Sequence, residues 1–377
     1  MVRHRIAPLS LAVTLAALSH QASAVTVYET ADDLFSIGGR IANRSVWENG
    51  ESYRNVNAGS RINLVYQHRF ADGWTGIART EWGFDPFFIE GEDNHSKRLL
   101  FGGFQHADYG SITIGKQLAP WTDMVASWTD QFWVSGASAT ASYNGREGDG
   151  GIEGMARADN SIYYKNSWDD LTLGLMYQTR DDSTHSGGRA QFDETGAFDG
   201  FSDPSGYKRK YTTQAALEWA ATDEVAFSAA YTHSAIDDQE SGESNATNVN
   251  AWLGGARWTP GNWYFAVTGG QYRNIINGSN LGNGEERFSP SARGYEAVAV
   301  YSFENPFAYT DTIQVYGGQN RLWEKDSSAR LSYYTIGAAW FYDDWIVALE
   351  QLLDDSKNDS GRSRSNNSTQ LLVRFNY

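Results

Sequence analysis

From Leu34 onward, apolar and polar side chains alternate with a period of two. In 34–47, Phe35, Ile37, Gly39 and Ile41 fall on one face, and Ser36, Gly38, Arg40, Ala42 and Arg44 on the other. In 57–70, Ile62, Leu64, Tyr66 and Phe70 alternate with Arg61, Asn63, Gln67 and Arg69. A period of two sends such sets to opposite sides of a β-sheet. Segments of the same kind are expected at 74–84, 97–106, 109–116, 156–166, 171–180, 208–219, 224–234, 249–259, 263–273, 292–303, 310–320, 330–341, 345–354 and 367–377, sixteen in all. An even number of antiparallel strands is what a single-chain bacterial barrel requires, and sixteen leave a water-filled lumen. In the last segment Leu371, Val373, Phe375 and Tyr377 form one apolar face, as in a strand that closes a barrel. A soluble β-sandwich, the rival fold, would leave that edge open.

Short and long connections take turns. Ala71-Asp72-Gly73, Ala107-Asp108, Trp168-Asp169-Asp170, Pro260-Gly261-Asn262 and Tyr342-Asp343-Asp344 have the composition of hairpin turns. Between them lie long polar stretches, at 85–96, 181–206, 236–247, 274–289, 321–328 and 354–365. Short turns at one end and long loops at the other is the outer-membrane arrangement.

The N-terminus decides which face meets lipid. Arg3, His4 and Arg5 precede an apolar run, Ile6 to Leu18, and Ala22-Ser23-Ala24 is a small-x-small cleavage pattern. Residues 1–24 therefore read as a signal peptide cleaved after Ala24, and 25–377 as the barrel. The run is too short to span a bilayer as a helix. An exported chain of period-two strands places its apolar faces in lipid and its polar faces around water. The 14 Trp, 21 Tyr and 18 Phe, beside a mean hydropathy of −0.52, fit aromatic girdles on a polar-lined pore. The absence of cysteine excludes disulfides and thiol chemistry. The formal charge of −16 becomes −18 once the two leader arginines leave, which argues against nucleic acid as a partner.

One stretch breaks the alternation. Residues 118–155 form a 38-residue connection holding Trp121, Trp128, Phe132 and Trp133, with a small-residue run at 135–142. A connection of that length is usually functional or disordered, and disordered segments seldom carry so many aromatics. It reads as a loop folded into the lumen, with a self-packed surface loop as the plain alternative.

The stretch from Asn94 to Phe104 and on through Ala107-Asp108-Tyr109-Gly110-Ser111-Ile112-Thr113-Ile114-Gly115-Lys116 resembles the fourth and fifth strands of the trimeric general diffusion porins of enterobacteria and vibrios. The resemblance extends over nearly the whole mature chain, including Gly39-Arg40, Ser60-Arg61-Ile62 and the aromatic C-terminus. It implies a homotrimer of sixteen-stranded barrels embedded in outer-membrane lipid and lipopolysaccharide, each with its own pore narrowed by loop 3. Small polar solutes and ions would diffuse through, with no cofactor and no resident metal.

Carried over by position, Arg40, Arg61, Arg98 and Arg157 match the basic pore wall of the family. The alternation independently puts Arg40 and Arg61 on the polar face, and Arg157 with Asp159, Ser161 and Lys165. An arginine facing lipid at mid-depth would cost about 2–4 kcal/mol, which favours the inward assignment. On loop 3, Asp130 matches the upstream aspartate of the family, and Asp123, Glu147, Asp149 and Glu153 are further candidates. The position of the loop glutamate falls on Val134, so the field across the pore should be weaker than in the family. Trp121, Trp128, Phe132 and Trp133 either anchor the loop or offer stacking faces to oligosaccharides; a chito- or malto-oligosaccharide porin is thus the alternative function. Glu90 and Glu92 resemble the loop that latches onto a neighbouring subunit, and calcium on the acidic outer loops is an open reading.

No enzyme is expected. Outside the leader, His68, His95, His106, His185 and His233 are scattered singly, with no Gly-x-Ser-x-Gly, Gly-rich phosphate loop or metal-ligand spacing.

Overall fold

The structure, a computed structural model, describes residues 24–87, 95–134, 154–186, 190–192, 198–201, 206–238, 245–276, 288–289, 291–325, 328, 330–357, 361–363 and 366–377. Sixteen antiparallel strands close on themselves. They are β1 (Asp33–Glu48), β2 (Arg61–Arg69), β3 (Thr75–Phe84), β4 (His95–His106), β5 (Gly110–Leu118), β6 (Arg157–Trp168), β7 (Leu171–Gln178) and β8 (Gly206–Ala220). The second half comprises β9 (Val225–Asp238), β10 (Asn245–Trp258), β11 (Trp263–Arg273), β12 (Ala292–Glu304), β13 (Thr312–Glu324), β14 (Arg330–Tyr342), β15 (Trp345–Asp354) and β16 (Ser368–Asn376). Each strand pairs with its sequence neighbours, so all sixteen expected segments are strands of one ring.

Closure falls on β1. One of its edges holds β2, from Asp33↔His68 to Arg40↔Arg61, with Arg54–Asn57 continuing that edge toward the long loops. The other edge holds β16, from Arg40↔Asn376 to Glu48↔Ser368. Below that, Val25–Glu29 takes over the same edge against Leu34 to Ile37, a short strand that the alternation did not foretell. Val25–Glu29 and β16 therefore share one lane of the barrel. At their junction the Gly39 N–H donates to the Tyr377 carbonyl at 2.7 Å and the Tyr377 N–H donates to the Gly39 carbonyl at 3.1 Å. A Cβ on Gly39 would stand 2.4 Å from the Arg61 carbonyl oxygen and 2.7 Å from the Tyr377 ring.

All five short turns occur at one end. Asp72, Asp169 and Asp343 take positive φ, as do Gly73 and Gly261, the conformations that tight hairpins demand of Asp, Asn and Gly. Of the long connections at the opposite end, much lies outside the described residues.

The outward face is the one the period predicted. Ile41, Leu100, Ile114, Leu175, Val267, Val315, Ile336 and Leu349 are exposed there, while Ala42, Leu253, Leu322 and Leu372 point inward and are buried. Exposed aromatics cluster at the two margins of this apolar band. Near the short turns stand Trp168, Trp219, Phe227, Trp258, Trp263, Phe303, Tyr342 and Trp345, several of them in ring contact. Toward the loops stand Tyr177, Tyr231, Trp252 and Tyr334. Amphipathic rings at both water interfaces flanking an apolar band are the signature of a barrel in a membrane.

Gly39→Val should be among the most damaging single changes in the strands. Overpacking typically costs about 1–3 kcal/mol, and here the clash is with backbone at the barrel seam. We expect slower folding and a lower urea midpoint, read from the heat-dependent mobility shift on electrophoresis; an unchanged midpoint would contradict this account of the seam.

Candidate functional site

The loop after β5 starts with a single helical turn, Pro120–Met124, with Pro120 at its first position, followed by a 3-10 turn, Ala126–Trp128. Proline is tolerated there because the first N–H groups of a helix lack intrahelical partners. From 119 to 134 the segment follows the inner wall, touching side chains that point away from the lipid face. Trp121 is fully buried and meets Tyr272 of β11 at 6.0 Å between ring centroids. Trp128 lies under the Arg257 guanidinium, 4.7 Å from its ring centre, and its carbonyl accepts from the Tyr264 hydroxyl at 2.7 Å. Phe132 meets Tyr316 of β13, and the indole N–H of Trp133 donates to Gln314 at 3.1 Å. The wall leaves room for them: a Cβ on Gly318 would stand 2.6 Å from the Phe132 ring, and one on Gly255 3.3 Å from Trp128.

Two buried wall carboxylates hold the loop backbone and hydroxyls. Thr129 Oγ1 donates to Glu296 at 2.7 Å, and the Val134 N–H donates to Glu350 at 2.8 Å. Arg44 of β1 reaches the Val134 carbonyl at 3.5 Å. By residue 134 the segment has passed from β5 round to the β15–β16–β1 side.

Of the acids in this part of the loop, Asp123 is tied to β6, accepting from Lys165 Nζ at 2.7 Å and the Tyr163 hydroxyl at 3.0 Å. Asp130 is exposed. Residues 135–153, with the small-residue run and Glu147, Asp149 and Glu153, lie outside the described residues. So do Glu90 and Glu92.

Several arginines of the inner face lie close together. Arg40 lies within electrostatic reach of Arg61, Arg98 and Arg374, and Arg61 within reach of Arg157. Arg40 donates from Nε to the Gly59 carbonyl at 2.9 Å, which fixes its fork against the β1–β2 connection. Between β6 and β5 the register slips by one residue near Asp159–Asn160, with Asn160 at φ 46°. The simple alternation that grouped Arg157 with Asp159, Ser161 and Lys165 therefore does not run through that point.

At the centre stands a carboxylate that sequence reasoning missed. Glu81 of β3, its side chain only 6% exposed, accepts from Arg98 at 2.7 Å, Arg61 at 2.9 Å and Arg79 at 3.3 Å. Glu81 shares a face with Arg79 by the period-two rule, so the pattern could have found both. Arg98 reaches it from a bulge, where the β3–β4 register shifts beside Glu81 and Trp82; bulges commonly re-aim a side chain. Charge-assisted bonds to three guanidiniums offset part of their mutual repulsion. Glu296 and Glu350 were also missed. Each is one charge set in an apolar stretch on the inward phase of its strand, which is the legible signal.

A closed, lipid-belted barrel with a charged interior and an in-folded loop defines a pore of the outer membrane. The chain belongs to the Gram-negative porin family, whose model matches residues 9–342. It is 24% identical to outer membrane porin F of Salmonella typhi, covering 100% of this chain and 99% of that protein. It is 26% identical to outer membrane porin PhoE of Klebsiella oxytoca over 78% of each. Among solved structures the fold is similar to Salmonella typhi OmpF in complex with daunomycin, with a TM-score of 0.70, 18% identity and coverage of 94% and 100%. An anion-selective porin from Comamonas acidovorans matches at 0.66 and 15%, covering 92% and 100%. The protein is thus a water-filled outer-membrane channel for passive diffusion of small hydrophilic solutes and ions, and not an enzyme.

Replacing Glu81 by Gln should leave three neighbouring guanidiniums with one neutral acceptor. We expect a loss of about 1–3 kcal/mol in unfolding free energy, below the figure for a fully buried pair because lumen water screens the arginines. A chemical-denaturation series would contradict the bridging role if E81Q matched the wild type.

Proposed function

We propose that solutes pass a constriction bounded by loop 3 on one side and by Arg40, Arg61, Arg98 and Arg157 on the other, with Arg44, Arg79 and Arg374 extending the basic wall. The observation that carries this is the crowding of guanidiniums around Glu81, and the resemblance to the family puts Val134 at the position of its loop glutamate. Asp123 is engaged by Lys165, and Asp130 is exposed in the described part of the loop. A wall with more cations than anions raises the local concentration of anions in a narrow, low-dielectric passage. The channel accordingly leans toward anions, a property carried in the name of the Comamonas acidovorans neighbour.

The aromatic loop residues act as anchors in this reading. Trp121, Trp128 and Phe132 are buried against the wall and Arg257 covers the Trp128 ring, so their faces are not offered to a sugar. Residues 1–24 serve as a cleaved leader, 25–377 form the mature barrel, and three copies associate in the membrane, each with its own pore.

Planar-bilayer reversal potentials under a salt gradient test the charge assignment. Arg61→Glu combined with Arg98→Glu should move selectivity toward cations by several-fold, and Val134→Glu should shift it the same way by less. If neither changed the reversal potential, the constriction would lie elsewhere.

A further inference from the structure

Not every aromatic ring of loop 3 is hidden in the wall. Trp121, Trp128 and Phe132 are buried, but Trp133 is only half-buried. Its indole N–H donates to Gln314 at 3.1 Å, and Phe341 stands edge-to-face against it at 5.1 Å. Both partners lie on the inner phase of their strands, so the wall holds one side of the indole and the lumen meets the other. Arg374 of β16 stands beside it, with its guanidinium carbon 5.7 Å from the ring centre, inside the range of a cation–π contact.

Arg374 has no acidic partner among the described residues. Its Nε donates to Asn376 Oδ1 at 2.6 Å, two residues along the same strand and on the same face. The charges that reach it are those of other arginines, Arg40 and Arg61. The hydrogen bonds of Arg40 go to carbonyls alone, Gly59 at 2.9 Å and Ala58 at 3.5 Å. The registers Arg40↔Asn376 and Ala42↔Arg374 make the two arginines diagonal neighbours, with Cα atoms roughly 7–8 Å apart. Arg61, Arg79 and Arg98, by contrast, are bonded to Glu81. Two guanidiniums are thus left for an anion from outside, and their forks match the two oxygens of a carboxylate.

A small bare anion would use the guanidiniums and ignore the indole. An acid carried on a ring uses both, with its carboxylate at Arg374 and Arg40 and its C–H face against Trp133. Both side chains are already fixed, Arg374 by Asn376 and Trp133 by Gln314, so little rotamer freedom is lost when a ligand arrives. The surroundings are polar: Gln314 also donates to Ser302, at 3.4 Å, and Asn376 borders Arg374. Amides and a hydroxyl suit a ring that bears hydroxyls better than a benzene ring.

We infer that the pore prefers acidic sugars of the uronate class over neutral sugars and over open-chain acids of equal charge. Trp133 and Arg374 are the specificity-determining pair, and Arg40 is the second cation. This rests on the constriction proposed above and adds a ring requirement to its preference for anions. One stacking contact and a carboxylate bond in a wet lumen raise the local concentration of the solute, yet are weak enough to let it leave.

The test measures influx into proteoliposomes carrying the full barrel, at zero membrane potential, for D-glucuronate, D-gluconate and D-glucose. The glucuronate-to-gluconate ratio isolates the ring at equal charge, and the glucuronate-to-glucose ratio isolates the charge on an equal ring. Both ratios cancel differences in the amount of open pore. In the wild type each should be about three or more. Trp133→Ala should lower the ring ratio about threefold, and Trp133→Phe should keep most of it because an aromatic face remains. Arg374→Gln should lower the charge ratio about fivefold. Because Trp133→Ala also removes a loop contact, Trp133→Phe and Arg374→Gln decide the matter if that variant fails to fold. Equal influx of glucuronate and gluconate in the wild type would overturn the proposal, as would a ring ratio unmoved in folded Trp133→Ala. Faster entry of gallate, an aromatic acid of similar size, would overturn the sugar assignment. The reversal-potential shift of Arg61→Glu with Arg98→Glu separates the two readings. That shift without a ring ratio ends this proposal alone, whereas a ring ratio without the shift counts against the charge assignment of the constriction.

Discussion

Inside hydrocarbon there is no water to take up a bare N–H or C=O, so a sheet can cross a membrane only if its first and last edges find each other. Here that requirement is met on β1, whose single outer edge is shared by β16 and by Val25–Glu29. The junction depends on Gly39, because the Tyr377 ring and the Arg61 carbonyl both occupy the space a side chain would take. Once the ring closes with sixteen strands, its interior is too wide for side chains to fill, and the polar phase of every strand is committed to water.

The described part of the loop after β5 packs onto the inner wall as a small second layer. Its aromatic residues fill hollows left by Gly255 and Gly318, and its backbone and hydroxyls are taken up by Glu296 and Glu350. Buried polar groups that are fully bonded fix one arrangement, which a purely apolar contact would leave free to slide. The same tryptophans that could have been stacking platforms are engaged in this packing.

Those arginines are held close despite their charge because Glu81 bridges three of them and the Gly59 carbonyl receives a fourth. The bulge at Arg98 is part of that solution, since it turns a guanidinium toward Glu81. The opposite, lipid-facing surface answers to a different solvent. There, Arg293, Arg321 and Arg330 stand at the loop end of β12 to β14.

By itself the sequence determined the strands, the faces and the ends of this barrel. The period of two assigns every residue of a half-polar strand to one side, and Asp, Asn and Gly mark turns that need positive φ, as at Asp169, Asp343 and Gly261. The shared face of Arg40 and Arg61 was legible for the same reason, once lipid was known to be outside, whereas the period alone would have put Arg98 with Leu100 on the other side. Only the tertiary structure decided which acid would stand among them, where the loop would rest, and that Val25–Glu29 would complete the final lane. These depend on contacts between residues far apart in the chain: Thr129 with Glu296, Val134 with Glu350, Gly39 with Tyr377. A periodic pattern fixes which side of a strand a residue occupies. It carries no information about which distant residue will share that side at the same height, because that is set by strand register and by bulges such as those near Asn160 and Arg98.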